Sequence, residues 1–137
     1  MPALDVELKN DLCEITRLLN LVEQFAKDTG LPDDALNAVM LSLDEAVTNT
    51  INYGFPGGGI HCIRLTLRRE PDSITSIIED DGIPFNPLEA PEADLTSPIE
   101  DRPIGGLGIH FIRNYMDELY YRREDGKNIF TLVKKIS

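Results

Sequence analysis

The sequence predicts an α+β fold, a two-layer sandwich in which helices cover one face of a mixed, mostly antiparallel sheet. Three observations carry this. Segments of alternating polarity come in consecutive pairs joined by tight turns, which favours antiparallel neighbours. Two long stretches with helical spacing stand side by side ahead of most strands instead of alternating with them. The 137-residue chain, 42% hydrophobic, has the size of one domain that buries its core without disulfides or a structural metal.

Residues 5 to 9 alternate, with Val6 and Leu8 on one face, and read as an opening strand. Asp11 and Glu14 form a capping-box variant, and Leu12, Ile15, Leu18, Val22 and Phe25 then recur at helical spacing up to Gly30, a C-terminal stop. A second helix starts near Asp33-Asp34 and runs to about Tyr53, with Leu36, Val39, Met40, Leu43, Val47 and Ile51 as its apolar stripe. Pro56-Gly57-Gly58-Gly59 breaks the chain. Strands follow over 60–69 and 73–79, turning at Pro71-Asp72. From Pro84 to Pro103 there is no period, only acids and the prolines 84, 87, 91, 98 and 103, so this is a long loop of the functional kind. Gly105-Gly106-Leu107-Gly108 opens a third helix carrying Ile109, Ile112 and Met116. Two closing strands, about 118–124 and 128–136, are joined by Asp125-Gly126, a hairpin signal.

Charge narrows the function classes. With 24 acidic and 13 basic side chains the net charge is -11, which argues against sequence-independent nucleic-acid binding. A phosphate ligand would need Mg²⁺ or local donors for the same reason. Cys13 and Cys62 stand in no C-x-x-C spacing and are expected to be small buried hydrophobes. His61 and His110 lack metal-type partners and are expected to be structural, and Tyr115, Tyr120 and Tyr121 to pack against the sheet. The N-terminus lacks the regions of a signal peptide, and no apolar run approaches the ~20 residues of a membrane span, so a cytoplasmic location is expected.

Three constellations bear chemistry. On the second helix, Ala38, Ser42, Glu45, Asn49 and Asn52 gather opposite the apolar stripe, and Glu45 and Asn49 are neighbours one turn apart. A helix meant only to face water would prefer better helix formers than Asn49, Thr50 and Asn52. In Glu79-Asp80-Asp81-Gly82-Ile83-Pro84, an apolar strand ends in acids and a Gly: an Asp there can accept from a ligand N–H, and Gly82 permits close backbone approach. In Gly105-Gly106-Leu107-Gly108, unhindered N–H groups at a helix start suit an anion. Read singly, these are equally a solvated helix face, an acidic turn and a helix entry. The ladder of an EF-hand, a P-loop and a Rossmann fingerprint are all absent.

Taken in order, the three resemble the GHKL (Bergerat-fold) ATPase superfamily over about residues 5 to 136. Glu45-Ala46-Val47-Thr48-Asn49-Thr50-Ile51-Asn52-Tyr53-Gly54 looks like its N box, and Asp80-Asp81-Gly82-Ile83-Pro84 looks like its D-x-G-x-G box with Pro84 in place of the last Gly. Gly106-Leu107-Gly108-Ile109 looks like its later glycine box. Within the superfamily the short chain and Asp44-Glu45-Ala46-Val47-Thr48-Asn49 look most like the anti-sigma-factor serine/threonine kinases.

The resemblance implies one histidine-kinase-like ATPase domain over 1–137, with an ATP lid at 84–104. It implies an ATP·Mg²⁺-dependent kinase in a partner switch, acting on a STAS-domain anti-anti-sigma protein and binding a sigma factor, and it implies a homodimer. Glu45 would activate the acceptor hydroxyl and Asn49 would hold Mg²⁺ through its amide oxygen. Asp80 would accept from the adenine amino group, and Gly82 would let base and water approach. Gly106, Leu107 and Gly108 would meet the phosphates, Arg102 the terminal one, and Asn52 would complete the nucleotide site. Leu95-Thr96-Ser97-Pro98 stands where a Thr-Thr-Lys-Pro-like segment is expected, so a nucleotide-gated binding module with little phosphotransfer is the alternative.

Overall fold

A computed structural model of the chain describes residues 2–89 and 112–136. Strand β1 spans Ala3–Lys9, helix α1 Glu14–Thr29 and helix α2 Asp33–Tyr53. Strands β2 (Cys62–Glu70) and β3 (Ser73–Asp80) form a hairpin, a short 3₁₀ turn covers Pro87–Glu89, residues 112–115 are helical, and β4 (Glu118–Glu124) and β5 (Lys127–Lys135) close the chain. The sheet order is β1-β2-β3-β5-β4, and all four pairings are antiparallel, so the described sheet contains none of the expected mixture.

Side-chain pattern explains the order. In β5, Asn128, Phe130 and Leu132 are buried in alternation and meet Asp80, Ile78 and Ser76 of β3 across the ladder. β4 reads Glu-Leu-Tyr-Tyr-Arg-Arg-Glu and is mostly exposed, the composition of an edge strand that resists further pairing. Its turn into β5 places Asp125 (φ 53°) and Gly126 (φ 75°) both in the left-handed region, which suits a two-residue hairpin loop.

The helices pack on one face. Leu18, Val22, Phe25 and Ala26 of α1 are buried. The helix ends at Gly30 (φ 70°), where the Leu31 N–H returns to the Ala26 carbonyl at 2.9 Å and Leu31 turns into the core. At its start the expected capping box is rearranged. Asp11 Oδ1 accepts the Cys13 N–H at 3.0 Å, while Glu14 reaches back to the Lys9 N–H at 3.1 Å instead. Cys13 and Cys62 are both exposed, contrary to their apolar neighbourhood in sequence, because one caps a helix and the other lies on the open sheet face. Leu12 is also exposed, since it precedes the helix it was expected to join.

α2 buries Ala35, Ala38, Val39, Ser42, Leu43, Ala46 and Val47, so its inward arc is turned toward the small residues. Leu36, Met40 and Ile51 are only half-buried, whereas Ala38 and Ser42, expected on the polar side, lie inside. Small side chains let the helix approach α1 and the sheet closely, and that closeness decides burial more than hydropathy does. Leu41 (52% exposed) and Leu43 (0%) give a direct contrast two residues apart on α2. Leu43→Ala should cost about 2–5 kcal/mol of stability, and Leu41→Ala should stay within about 0.5 kcal/mol, both read from urea unfolding midpoints.

Candidate functional site

The C-terminal half of α2 lies over the ends of β3 and β5, and a pocket opens between them. Its walls are Ala46, Asn49, Thr50 and Gly54 from α2, Ile78 and Asp80 from β3, Asn128 and Phe130 from β5, with Phe85, Pro87, Ile112 and Tyr121. Most of this lining is apolar, and two polar residues, Asp80 and Asn128, sit opposite each other across the β3–β5 ladder.

Asp80 is 6% exposed and Asn128 is 5% exposed. Asp80 Oδ1 accepts two hydrogen bonds, from the Gly82 N–H at 2.9 Å and from Asn128 Nδ2 at 3.1 Å. Its Oδ2 accepts none among the described residues. Burial pushes the Asp80 carboxyl above the usual carboxylate range. The Asn128 amide and the Gly82 N–H pull it back, the neighbouring Asp81 charge adds to the rise, and Arg123 opposes it. A buried carboxylate with an oxygen to spare, in an apolar-walled pocket, is suited to accept an N–H from a planar ligand.

The turn after β3 is docked on α2. The Ile83 N–H donates to the Gly54 carbonyl at 2.9 Å, and Arg123 Nη1 donates to the Gly82 carbonyl at 2.8 Å. A Cβ on Gly82 would meet the Gly54 oxygen at 2.4 Å and Asp80 Oδ1 at 2.9 Å. The room that Gly82 leaves is therefore filled by the end of α2. On the other side of the turn, His61 Nδ1 lies 3.2 Å from Asp81 Oδ1 and its Nε2 lies 3.1 Å from the Gly58 carbonyl, with the ring stacked on Phe55. This histidine organises the loop after α2.

Of the other residues singled out from sequence, Asn49 is half-buried and lines the pocket, and Glu45 stands half-buried one helical turn earlier. Asn52 is exposed and is not among the walls. The side chains of Glu45, Asn49 and Asn52 make no hydrogen bond among the described residues. Arg102, Gly106, Leu107, Gly108 and His110 lie outside the described residues, as does most of the 84–104 segment. Arg113 Nη2 donates to the Leu88 carbonyl at 2.9 Å, joining the two described ends of that segment. Tyr120 and Tyr115 are 54% and 40% exposed, so only Tyr121 takes the half-buried position expected of all three.

Asn128 and Tyr121 are the site residues that motif reading passed over. A signal existed: Asn128 falls in phase with the buried Phe130 and Leu132 of an alternating strand, where a polar residue is out of place. Gly54 and Arg123 left no comparable signal, because their roles arise only when α2, the turn and β4 come together.

Several known proteins are similar to this chain. A family model described as a histidine kinase-like ATPase domain matches residues 8–134. The Serine/threonine-protein kinase BtrW of Bordetella bronchiseptica is 35% identical over 93 residues, covering 68% of this chain and 66% of that protein. An anti-sigma F factor of Clostridium beijerinckii is 28% identical over 102 residues, covering 74% of this chain and 71% of the relative. A crystal structure of the RsbU and RsbW domains of Rv1364c from Mycobacterium tuberculosis superposes with a TM-score of 0.66 at 12% identity, over 98% of this chain and 32% of that one. The chain thus spans about two thirds of BtrW and about a third of the mycobacterial chain.

Two stability outcomes follow from the site. Gly82→Ala should cost about 1–3 kcal/mol by overpacking against Gly54, whereas Gly57→Ala, which meets nothing within 4 Å, should change urea stability by no more than about 0.5 kcal/mol. The Asp80 pKa is raised on folding, so between its unfolded and folded values the native state binds more protons. Ionised Asp80 therefore opposes folding above its folded pKa, and this opposition fades as pH falls through it. Asp80→Asn keeps an oxygen for Gly82 and Asn128, so its urea midpoint should exceed the wild type's at pH 7 and the gap should narrow on acidification.

Proposed function

This chain belongs to the histidine kinase-like ATPase domain family, and from that premise we propose that it binds ATP with Mg²⁺ and transfers the terminal phosphate to a serine or threonine of a protein partner. One observation carries the reading: α2 sets Asn49 in the wall of a pocket, with Glu45 one turn before it, and the buried Asp80 of that pocket has a carboxylate oxygen that accepts nothing among the described residues. BtrW and the RsbW proteins bear serine kinase names, and anti-sigma F factors match over similar spans, which supports a partner switch. The partner proposed is a STAS-domain anti-anti-sigma protein, with a sigma factor bound in the alternative state and the kinase itself dimeric.

The chemistry of the pocket suits an adenine ring. Ala46, Ile78, Ile112 and Phe130 supply apolar walls, and Asp80 accepts the exocyclic N–H. Asn49 offers an amide oxygen to Mg²⁺, which favours few protein ligands beside phosphates and water. When bound, Mg²⁺ neutralises charge on the phosphates. Glu45 orients the acceptor hydroxyl and takes its proton. A carboxylate is a weak base, so most of the rate comes from positioning. Among the described residues no Lys or Arg lines the pocket, and the phosphate contacts proposed are Arg102 and the backbone of Gly106, Leu107 and Gly108, on the motif resemblance alone.

Isothermal titration with ATP, with and without Mg²⁺, should show Mg²⁺-assisted binding that Asp80→Asn weakens at least tenfold, the order expected for one hydrogen bond to a charged group. Glu45→Ala should keep that binding while transfer of labelled phosphate to a STAS-domain protein falls about 100-fold or more. Binding without transfer by the wild type would leave a nucleotide-gated module in place of a kinase. Absence of ATP binding would remove both readings.

A further inference from the structure

We infer that Asn128 is a positioning residue for base recognition, holding the Asp80 carboxylate so that one oxygen accepts from the nucleotide while the other is fixed by the protein. This deepens the ATP-binding reading above and rests on it. The geometry is a chain of three side chains. The Tyr121 hydroxyl donates to Asn128 Oδ1 at 2.5 Å, and Asn128 Nδ2 donates to Asp80 Oδ1 at 3.1 Å.

Each hydrogen-bonding position of the Asn128 amide is occupied. Its Nδ2 also donates to the Ile83 carbonyl at 2.8 Å, and its Oδ1 also accepts the Phe85 N–H at 3.3 Å. Two N–H groups have two acceptors and one oxygen has two donors, so the amide has one satisfied orientation. Flipping it would set its oxygen against the Asp80 carboxylate and the Ile83 carbonyl, and its N–H groups against the Phe85 N–H. With nothing left over, Asn128 does not read the base itself. It acts through Asp80, and it clamps residues 83–85 to β5 in the same stroke.

The charged and titratable neighbours assign Asn128 a particular weight. Asp80 faces the Asp81 charge and the Arg123 guanidinium from its own turn and from β4, and the Gly82 N–H donates to it. Tyr121 stands behind Asn128. Against burial, the Asn128 amide is the strongest influence keeping Asp80 ionised, ahead of Gly82 and Arg123. Asn128 thus orients the acceptor and keeps it an acceptor.

The test uses the full chain and ADP·Mg²⁺ as probe, with two readouts. The first is the Asp80 carboxyl ¹³C titration by NMR in nucleotide-free protein. The second is ADP affinity from pH 5.5 to 8. Asn128→Ala and the isosteric Asn128→Asp should both raise the Asp80 midpoint, the second more because it sets a carboxylate beside a carboxylate. Both should weaken ADP about tenfold or more at neutral pH, with further loss toward acid, where the wild type stays flatter. Tyr121→Phe should shift both readouts in the same direction by less, and serves as the variant if truncation at 128 unfolds the chain. In an Asp80→Asn background, Asn128→Ala should add little, since the two act as one unit. A wild type that binds ADP while these variants leave the Asp80 midpoint and the pH profile unmoved overturns this inference alone. Failure of the wild type to bind ADP overturns the nucleotide reading beneath it.

Discussion

Where α2 ends, the Gly54 carbonyl accepts the Ile83 N–H at 2.9 Å, and neither glycine at this crossing has room for a Cβ. Gly54 has helical dihedrals (φ -78°), so space and not backbone freedom demands a glycine there. This crossing sets the distance between the helix that carries Glu45 and Asn49 and the strand end that carries Asp80. Were the turn to lift away, the Asp80 carboxylate would lose the Gly82 N–H and part of its shelter, and the pocket would lose its floor. Arg123 on the Gly82 carbonyl and Asn128 on the Ile83 carbonyl hold the same turn from β4 and β5. Three elements distant in sequence therefore converge on one tight turn.

Part of the acidic excess behind the net charge of -11 lies on the helix that carries the site. α2 carries Asp33, Asp34, Asp44 and Glu45 and no basic residue at all. Basic side chains near the pocket are engaged elsewhere: Arg123 on a carbonyl, Arg113 on the Leu88 carbonyl, Lys127 on Glu79. The last of these is a partly exposed pair and contributes little to stability. The described walls supply apolar surface and a buried carboxylate acceptor, which suits a base, and no cation, which suits phosphates poorly. In the proposed reading the described residues meet the base, and charge on the phosphates is compensated by the Mg²⁺ that accompanies the nucleotide. Arg123, a cation near Asp80, is held on the Gly82 carbonyl instead of pairing with the carboxylate, which preserves the acceptor role of Asp80.

Much of this was legible in the residues, and the exceptions have physical causes. Periodicity predicts α2 at Asp33–Tyr53 and the closing strands within a residue of their observed spans, because each alternates or repeats over many residues. The inward arc of α2 was misplaced because hydropathy weights Leu36, Met40 and Ile51 above Ala35, Ala38 and Ala46, while packing rewards the small residues that allow close approach. Cys13 and Cys62 were misread for a related reason: apolar neighbours in sequence say nothing about which side of a strand or helix end a residue takes. Asp80 and Asn49 were visible from composition and spacing, and both line the pocket. Asn128 stood in view as a polar residue in an apolar phase. Its partner could not be read, since the β3–β5 register that sets it against Asp80 is a tertiary fact.

The site also shows where local preference yields to use. Glu45, Asn49 and Asn52 are left without hydrogen bonds among the described residues, on a helix face whose asparagines lower helix propensity. Asp80 is a carboxylate buried at a cost, with one oxygen unanswered among the described residues. By contrast, Asn128, whose four positions are all filled, and Gly82, whose missing side chain is filled by a neighbour, are fully settled. A fold optimised only for stability would satisfy or replace the first group, and a site that must meet a ligand cannot. The settled residues surround the unsettled ones and hold them in place, so the ordering entropy of the acceptor is met during folding and not at binding. In the proposed reading that arrangement makes Asp80 a preorganised acceptor, and it suits a polar residue on β5 that is an amide with both donors and acceptors, able to bind carboxylate, carbonyl, hydroxyl and N–H at once.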